Sequence, residues 1–371
     1  MKIAVDIRSL GSKNLTGVGY YLYNSLNNLF KLDESVSWQL INSGLKKINP
    51  DFAFNERVLL AILKLPNKLI NIASIFGLGP SITDVIDDDV DLLWLPNINF
   101  FKPKKNLPFV LTVHDLSFLH SHSFYSLKMK IWHRLVNVKK LIDQSKVVIV
   151  VSENTKRDIV RFFSTAEDKI FVVYPGVDYQ KISSTEASNI TQHLNLPAKY
   201  FLHVGTLEPR KNISGLIKAF DRLHAEYPNY KLVLVGGCGW MYSKLLRDIK
   251  KRDYIKYLGY QKTPVKDAIY KLSYAFIWSS FYEGFGFPPL EALTHKKPVI
   301  SSFKTSLPET LGNHAIYVDP YSVSDMYMAM KMLIEDQQLY LSLITDSFDL
   351  PEWPNQSFEI LNIFNKIVKQ K

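Results

Sequence analysis

Cysteine is all but absent from this chain: Cys238 is the single one in 371 residues. That excludes an internal disulfide and fits a reducing cytoplasm. Cys238 sits in a glycine-rich turn and is expected to be a small buried residue rather than a catalyst. Long apolar runs are missing too. None approaches the ~18 residues of a membrane-spanning helix. The opening Met1-Lys2-Ile3-Ala4-Val5-Asp6 reads as a strand, not a signal peptide, because an acid follows at once. No repeat of 20–50 residues and no low-complexity tract is evident. Zinc-ligand spacing, a recognition helix and an aromatic–basic motif are also lacking, which argues against nucleic acid as a partner.

What is present is an ordinary globular composition, 47% apolar and 22% charged, with a formal charge of +10. The length suggests two domains with ample cores. Excess positive charge attracts anionic lipid, nucleic acid or phosphorylated substrates alike, so it does not choose among them. The first half alternates strands with helical stretches. Strands are expected at 3–7, 38–41, 92–95, 109–113, 147–151 and 170–173. Such alternation implies a parallel sheet covered on both faces by helices. Tyr174-Pro175-Gly176-Val177-Asp178 punctuates the chain, and a mostly polar stretch follows through Asn195. The pattern restarts with strands at 200–204 and 231–235. The reading is therefore a first domain over 1–177, a second over 195–350 and a closing helix within 351–371.

Residues 42–90 depart from the alternation. The apolar runs 58–65 and 69–76 flank Pro66 and read as helices, packed on their own sheet or lying on a membrane surface. Phe100-Phe101-Lys102-Pro103-Lys104-Lys105 is a second candidate for lipid contact, or equally a solvated loop. Asp87-Asp88-Asp89 invites a metal, but metal-holding Asp-x-Asp turns follow a strand, and this run precedes Leu92-Leu93-Trp94. It reads as a solvated loop.

Chemistry concentrates in Tyr274-Ala275-Phe276-Ile277-Trp278-Ser279-Ser280-Phe281-Tyr282-Glu283-Gly284-Phe285-Gly286-Phe287-Pro288-Pro289-Leu290-Glu291. A buried strand turns through Gly284 and Gly286, and Pro289 is well placed to start a helix. Free N–H groups at that start would suit a phosphate. Glu283 in the loop and Glu291 in the first turn would suit sugar hydroxyls. The plain alternative is a helix start with its favourable Glu and Glu283 in solvent. Gly205-Thr206-Leu207-Glu208-Pro209-Arg210-Lys211-Asn212 puts a forked cation and a point charge before a helix, as a diphosphate needs. A capped helix with surface cations is the alternative. Gly17 and Gly19 lie between the first strand and first helix, where a plain turn is the simpler explanation. His114 sits at a strand's carboxyl edge, where open α/β sheets place ligands, although a lone His is more often structural.

The stretch from Glu283 to Glu291 resembles the two-glutamate signature of the retaining glycosyltransferases of family 4. The resemblance covers nearly the whole chain and is strongest over 200–320. It implies two Rossmann-like, doubly wound domains facing a cleft, the architecture called GT-B. It further implies a metal-independent transfer of a hexose with retention, needing no cofactor beyond the nucleotide-sugar donor. In that pattern Arg210 and Lys211 clamp the diphosphate, Gly205 lies beside it, and Gly17 and Gly19 face both the diphosphate and the acceptor. Tyr260 and Gln261 flank the base. Gly284, Phe285, Gly286, Phe287 and Leu290 line the donor. Glu283 holds the transferred sugar, Glu291 the ribose, and His114 orients or polarises the sugar. The chain is similar to bacterial mannosyltransferases of surface-polysaccharide assembly, such as those of O-antigen. That points to GDP-mannose, with UDP-glucose as the other donor, and to a glycan or polyprenyl-linked acceptor. An anionic membrane surface is a further candidate partner, on the inner face of the cell membrane. A sugar-nucleotide epimerase of the same architecture is the alternative from another class.

Overall fold

A computed structural model of the chain describes residues 1–11, 15–44, 52, 56–76, 79–179, 181–344 and 348–370. They fall into two α/β units. The first comprises Met1–Leu116, Lys128–Gly176 and Pro351–Lys371, and the second Ser117–Leu127 and Val177–Leu350. The sequence reading runs the first domain unbroken to 177. The contacts instead count 117–127 with the second unit, where the Phe124 ring stacks on Phe281, 5.7 Å between centroids, and Trp240 Nε1 donates to the Phe124 carbonyl.

The first unit holds seven strands: β1 Lys2–Asp6, β2 Ser37–Ser43, β3 Val58–Leu63, β4 Leu92–Leu95, β5 Phe109–Val113, β6 Val147–Val150 and β7 Ile170–Val172. Their order is β3-β2-β1-β4-β5-β6-β7, and every pairing is parallel. The inner strands are short apolar runs buried on both faces, as an all-parallel sheet requires. The second unit holds β8 Tyr200–Val204, β9 Lys231–Val235, β10 Ile255–Tyr257, β11 Ala275–Trp278, β12 Val299–Ser302 and β13 Ala315–Val318. These lie in the order β10-β9-β8-β11-β12-β13, again all parallel. In each sheet the chain order reverses once, between β1 and β4 and between β8 and β11. Two Rossmann-like domains result, each with one switch point.

The last helix, Trp353–Lys369, belongs to the first unit and lies along the helix Gly17–Leu32. It buries Ile360, Leu361, Phe364 and Ile367, and Gln356 Nε2 donates to Ser25 Oγ at 3.0 Å.

Three expectations fail here. The run 58–65 is not a helix: its first six residues form β3, paired along its whole length with β2. β-Branched and leucine side chains fit a half-covered edge strand as readily as a helix, and periodicity cannot separate the two in so short a run. Residues 45–51, 53–55 and 77–78 lie outside the described residues, so the irregular stretch 42–90 is seen only in part. Phe100 and Phe101 are buried, not offered to lipid; Phe101 packs on Phe109 of β5. Cys238 is exposed rather than buried, with its sulfur 3.6 Å from the Tyr257 hydroxyl. The aspartate run does form a surface loop: Asp87 and Asp89 pair with Lys2, and Asp88 with Lys104.

Candidate functional site

A cluster of buried charge lies at the switch point of the second unit, just beyond the carboxyl ends of β8 and β11. Adjacent parallel strands diverge there in their connections, which opens a crevice that loops can line. From β8 the chain passes through Gly205 to a 3₁₀ turn, Pro209–Lys211. Asn212 then takes a left-handed conformation, φ 53°, and caps the helix Ile213–Glu226. From β11 the chain runs through Ser279 and Ser280 to Glu283. The two loops are stitched together by the Phe281 N–H, which donates to the Arg210 carbonyl at 2.9 Å, and by Ser279 Oγ, which donates to the Lys211 carbonyl at 3.1 Å.

Glu283 is the hub. Its Oε1 accepts Lys211 Nζ at 2.6 Å and the Ser280 hydroxyl, and its Oε2 accepts Arg210 Nη1 at 3.0 Å. Its own N–H donates to Thr305 Oγ1 at 2.9 Å, and Ser306 Oγ donates to its carbonyl. Arg210 is held from the other side by buried Glu208, 2.8 Å from Nη2, and donates to the Tyr282 carbonyl. The Lys211 ammonium also lies over the Trp278 ring, 4.6 Å from its centroid. Burial by itself would raise the Glu283 carboxyl. The adjacent Lys211 and Arg210 charges outweigh it and hold the group below its ordinary value. Two cations and two carboxylates thus neutralise one another inside the protein.

Next along the chain, the helix Phe287–Thr294 begins two residues earlier than Pro289 would place it. Gly286 is its N-cap, at φ 97°, and Pro288 and Pro289 both fall within the first turn. Two of the four N–H groups that a helix start leaves without an intrahelical partner are therefore missing, which leaves those of Gly286 and Phe287. A β-carbon on Gly286 would come within 2.8 Å of Leu307 Cδ2, so packing as well as φ demands glycine there. Gly284, Phe285 and Leu290 are buried, and Phe287 sits half-buried against Phe285. Glu291 lies in the second turn, not the first. It is buried and accepts Lys266 Nζ at 2.6 Å. The two glutamates are therefore engaged by different cations.

The remaining second-unit residues sit on the same edge of the sheet. Gly205 packs under Trp278; a β-carbon would stand 2.8 Å from Cη2. Gly236, after β9, faces the Gly205 carbonyl, with only 2.0 Å for a β-carbon. Close approach of the Trp278 ring accounts for Gly205, and close approach of backbone to backbone for Gly236. Tyr260 is exposed, and Gln261 Nε2 donates to the Leu258 carbonyl in its own loop at 2.7 Å.

In the first unit, Gly17 and Gly19 open the helix Gly17–Leu32, and Thr16 Oγ1 caps it by accepting the Gly19 N–H. Gly17 is exposed with open space where a β-carbon would be; Gly19 packs against Leu15 and the Ser9 carbonyl. His114 follows β5, and its Nε2–H donates to the Pro96 carbonyl after β4 at 2.8 Å. Burial first of all pulls its pKa down, so the ring is neutral near pH 7 with Nδ1 as the acceptor. Nε2 is therefore not spare to polarise a ligand.

Sequence reasoning missed Glu208, Ser280, Thr305 and Lys266. Two carried a local signal: Ser280 stands three residues before Glu283, and Glu208 two before Arg210. Thr305 and Lys266 come from other loops and helices, and only folding brings them in. Among the described residues no group of three or more His, Cys, Asp or Glu side chains is arranged to hold a metal ion.

Comparison with known proteins fits this geometry. The family model described as "Glycosyl transferases group 1" matches residues 186–347, and that described as "Glycosyltransferase Family 4" matches residues 51–181. The O-antigen chain mannosyltransferase B of Escherichia coli is 31% identical over 64% of this chain and 64% of its own length. The O-antigen chain mannosyltransferase RfbU of Salmonella typhimurium is 30% identical over 60% of this chain and 59% of its own. The match thus spans less than two thirds of those relatives, and about a third of the longer Escherichia coli WbdA proteins. In three dimensions the sucrose-phosphate synthase of Thermosynechococcus elongatus superposes along both whole chains with a TM-score of 0.76 at 16% identity. Anabaena HepE, solved in complex with UDP-glucose, gives 0.66 at 16% over 100% of this chain and 99% of its own. Two Rossmann-like domains, the paired family models and these relatives agree: the chain belongs to the family 4 glycosyltransferases.

Proposed function

We propose that the chain transfers a hexose, mannose from GDP-mannose, with retention at the anomeric carbon, onto a glycan or polyprenyl-linked acceptor at the inner face of the cell membrane. The observation that carries the reading is the buried cluster of Arg210, Lys211 and Glu283 at the β8–β11 switch point. Two cations held this far from water are costly unless a partner of opposite charge stays with them. In this structure that partner is Glu283. An arriving diphosphate offers more charge and better bidentate geometry to Arg210, so it would take over the cations and free Glu283 for the hydroxyls of the sugar. As the bond to the sugar breaks, negative charge grows on the leaving diphosphate. Arg210 and Lys211 then stabilise it without a metal ion, because they are already oriented. Glu291 would receive the ribose by exchanging Lys266 for its hydroxyls. Tyr260 and Gln261 are assigned to the base, His114 to orienting the sugar, and the helix start at Gly17 to the diphosphate and the acceptor. The names of the mannosyltransferase relatives support the choice of sugar.

The test is a panel of labelled GDP- and UDP-sugars with and without acceptor. Transfer from GDP-mannose alone is expected, with the α-anomeric configuration retained. Lys211→Ala should lower the rate by roughly a hundredfold or more while the fold persists. An isomerised donor formed without acceptor would point to an epimerase and end the reading.

A further inference from the structure

We propose that the helix Leu127–Val136 docks the protein on an anionic lipid surface. The helix is turned inside out. Leu127, Ile131 and Leu135 recur every fourth residue, so they form one stripe, and they are 72%, 51% and 45% exposed. At about 100° per residue, Lys128 borders the stripe on one side, and Arg134 and Lys130 border it on the other. Val136 is buried on the far face, and Trp132 packs on Phe100. Scattered exposed leucines are ordinary, but a continuous stripe framed by cations on both flanks is not.

Charge decides the occupant. From Leu116 to Ile142 the sequence contains no aspartate or glutamate, while Lys128, Lys130, Arg134, Lys139 and Lys140 all fall within it. Among the described residues no carboxylate pairs with Lys128, Lys130 or Arg134. A protein partner would need an acidic frame around an apolar ridge. A bilayer with anionic headgroups provides that everywhere, with acyl chains beneath the charge. A second patch of the same kind lies on the helix Asn67–Phe76, which exposes Leu69 and Ile72 beside Lys68 and has no acid. The steps from β3 to β4 and from β5 to β6 cross the sheet in the same direction. Right-handed crossovers therefore put both helices on one face. The inference deepens the reading of a lipid-linked acceptor, yet its evidence is independent of any sugar chemistry.

Flotation of the full chain with phosphatidylcholine vesicles, with and without roughly 30% phosphatidylglycerol, reads the proposal directly. Binding is expected only to the anionic vesicles, and it should weaken as salt rises. Lys128→Ala with Arg134→Ala should lower the partition coefficient roughly thirtyfold. Ile131→Ser with Leu135→Ser should lower it roughly tenfold or more. All four positions face solvent, so melting curves of the variants should match the parent. Equal binding to neutral vesicles, no binding at low salt, or unchanged binding by both double variants would overturn the proposal. So would a dimer seen by sedimentation and lost in Ile131→Ser, since the stripe would then belong to a second copy. No donor or acceptor enters this experiment, so its failure leaves the transferase reading standing, and the failure of that reading leaves flotation unchanged.

Discussion

Glu283 carries a negative charge where burial opposes one, and its neighbours make that possible. Its lowered carboxyl pKa means that the folded state holds the proton less tightly than the unfolded chain. The stabilisation is therefore complete above the ordinary carboxyl value of 4.5 and is lost as pH falls through the depressed folded value. Glu283→Gln should cost about 3 kcal/mol at pH 7, because Lys211 and Arg210 lose their counter-charge in a buried place. In thermal melts the gap between parent and variant should close below pH 4.5. His203 behaves in the opposite chemical sense. It stacks on Trp278 at 4.8 Å and donates Nδ1–H to the Ile277 carbonyl, and burial pulls its pKa down to about 4. The unfolded chain takes up this proton near pH 6.5 and the folded chain only near 4, so the fold weakens by about 3 kcal/mol across that interval. His203→Gln should flatten the pH dependence of Tm between 6.5 and 4. An unchanged slope would mean that His203 titrates freely.

At the scale of elements, the last helix is part of the first unit's core rather than a tail. Phe364 is fully buried, with its ring edge-on to Trp94 of β4 at 5.6 Å. Phe364→Ala should destabilise by about 3–5 kcal/mol, as deletions of buried aromatic side chains do. Urea unfolding followed by hydrogen exchange would show protection lost first over β1, β4 and the helix Gly17–Leu32. The sequence foretold a closing helix within 351–371, and it does begin with Pro354 in its first turn, where a missing N–H wastes little hydrogen bonding. The same reasoning misplaced the helix after Gly286. Sequence placed the start at Pro289, whereas the left-handed Gly286 caps a helix that starts at Phe287, ahead of both prolines. The edge strand β3 was misread because so short an apolar run, 58–65, carries no period that separates strand from helix.

For the whole molecule, ligand binding should speak through the second unit. A nucleotide diphosphate that occupies the Arg210–Lys211 crevice stabilises only the folded form of that unit, by about 2.7 kcal/mol at a hundred times Kd. GDP should therefore raise the Tm of the second unit and slow hydrogen exchange over 205–212 and 280–291. It should do neither in Lys211→Ala. Strong protection confined to the first unit would reject the assignment.

The sequence alone determined the fold class, the two-domain plan and the segments that hold charge. Those properties follow from local order: alternation of apolar strands with helices, glycine and proline at turns, and cations before a helix. Only the tertiary structure decided who pairs with whom. Ser280, Thr305 and Glu208 reach the same few ångströms of space as Glu283 and Arg210 because β8 and β11, 70-odd positions apart in the chain, are hydrogen-bonded neighbours. It also decided which apolar residues face outward. Phe100 and Phe101 went inside while Leu127, Ile131 and Leu135 stayed out, since the side of a helix that meets the sheet depends on every element packed around it.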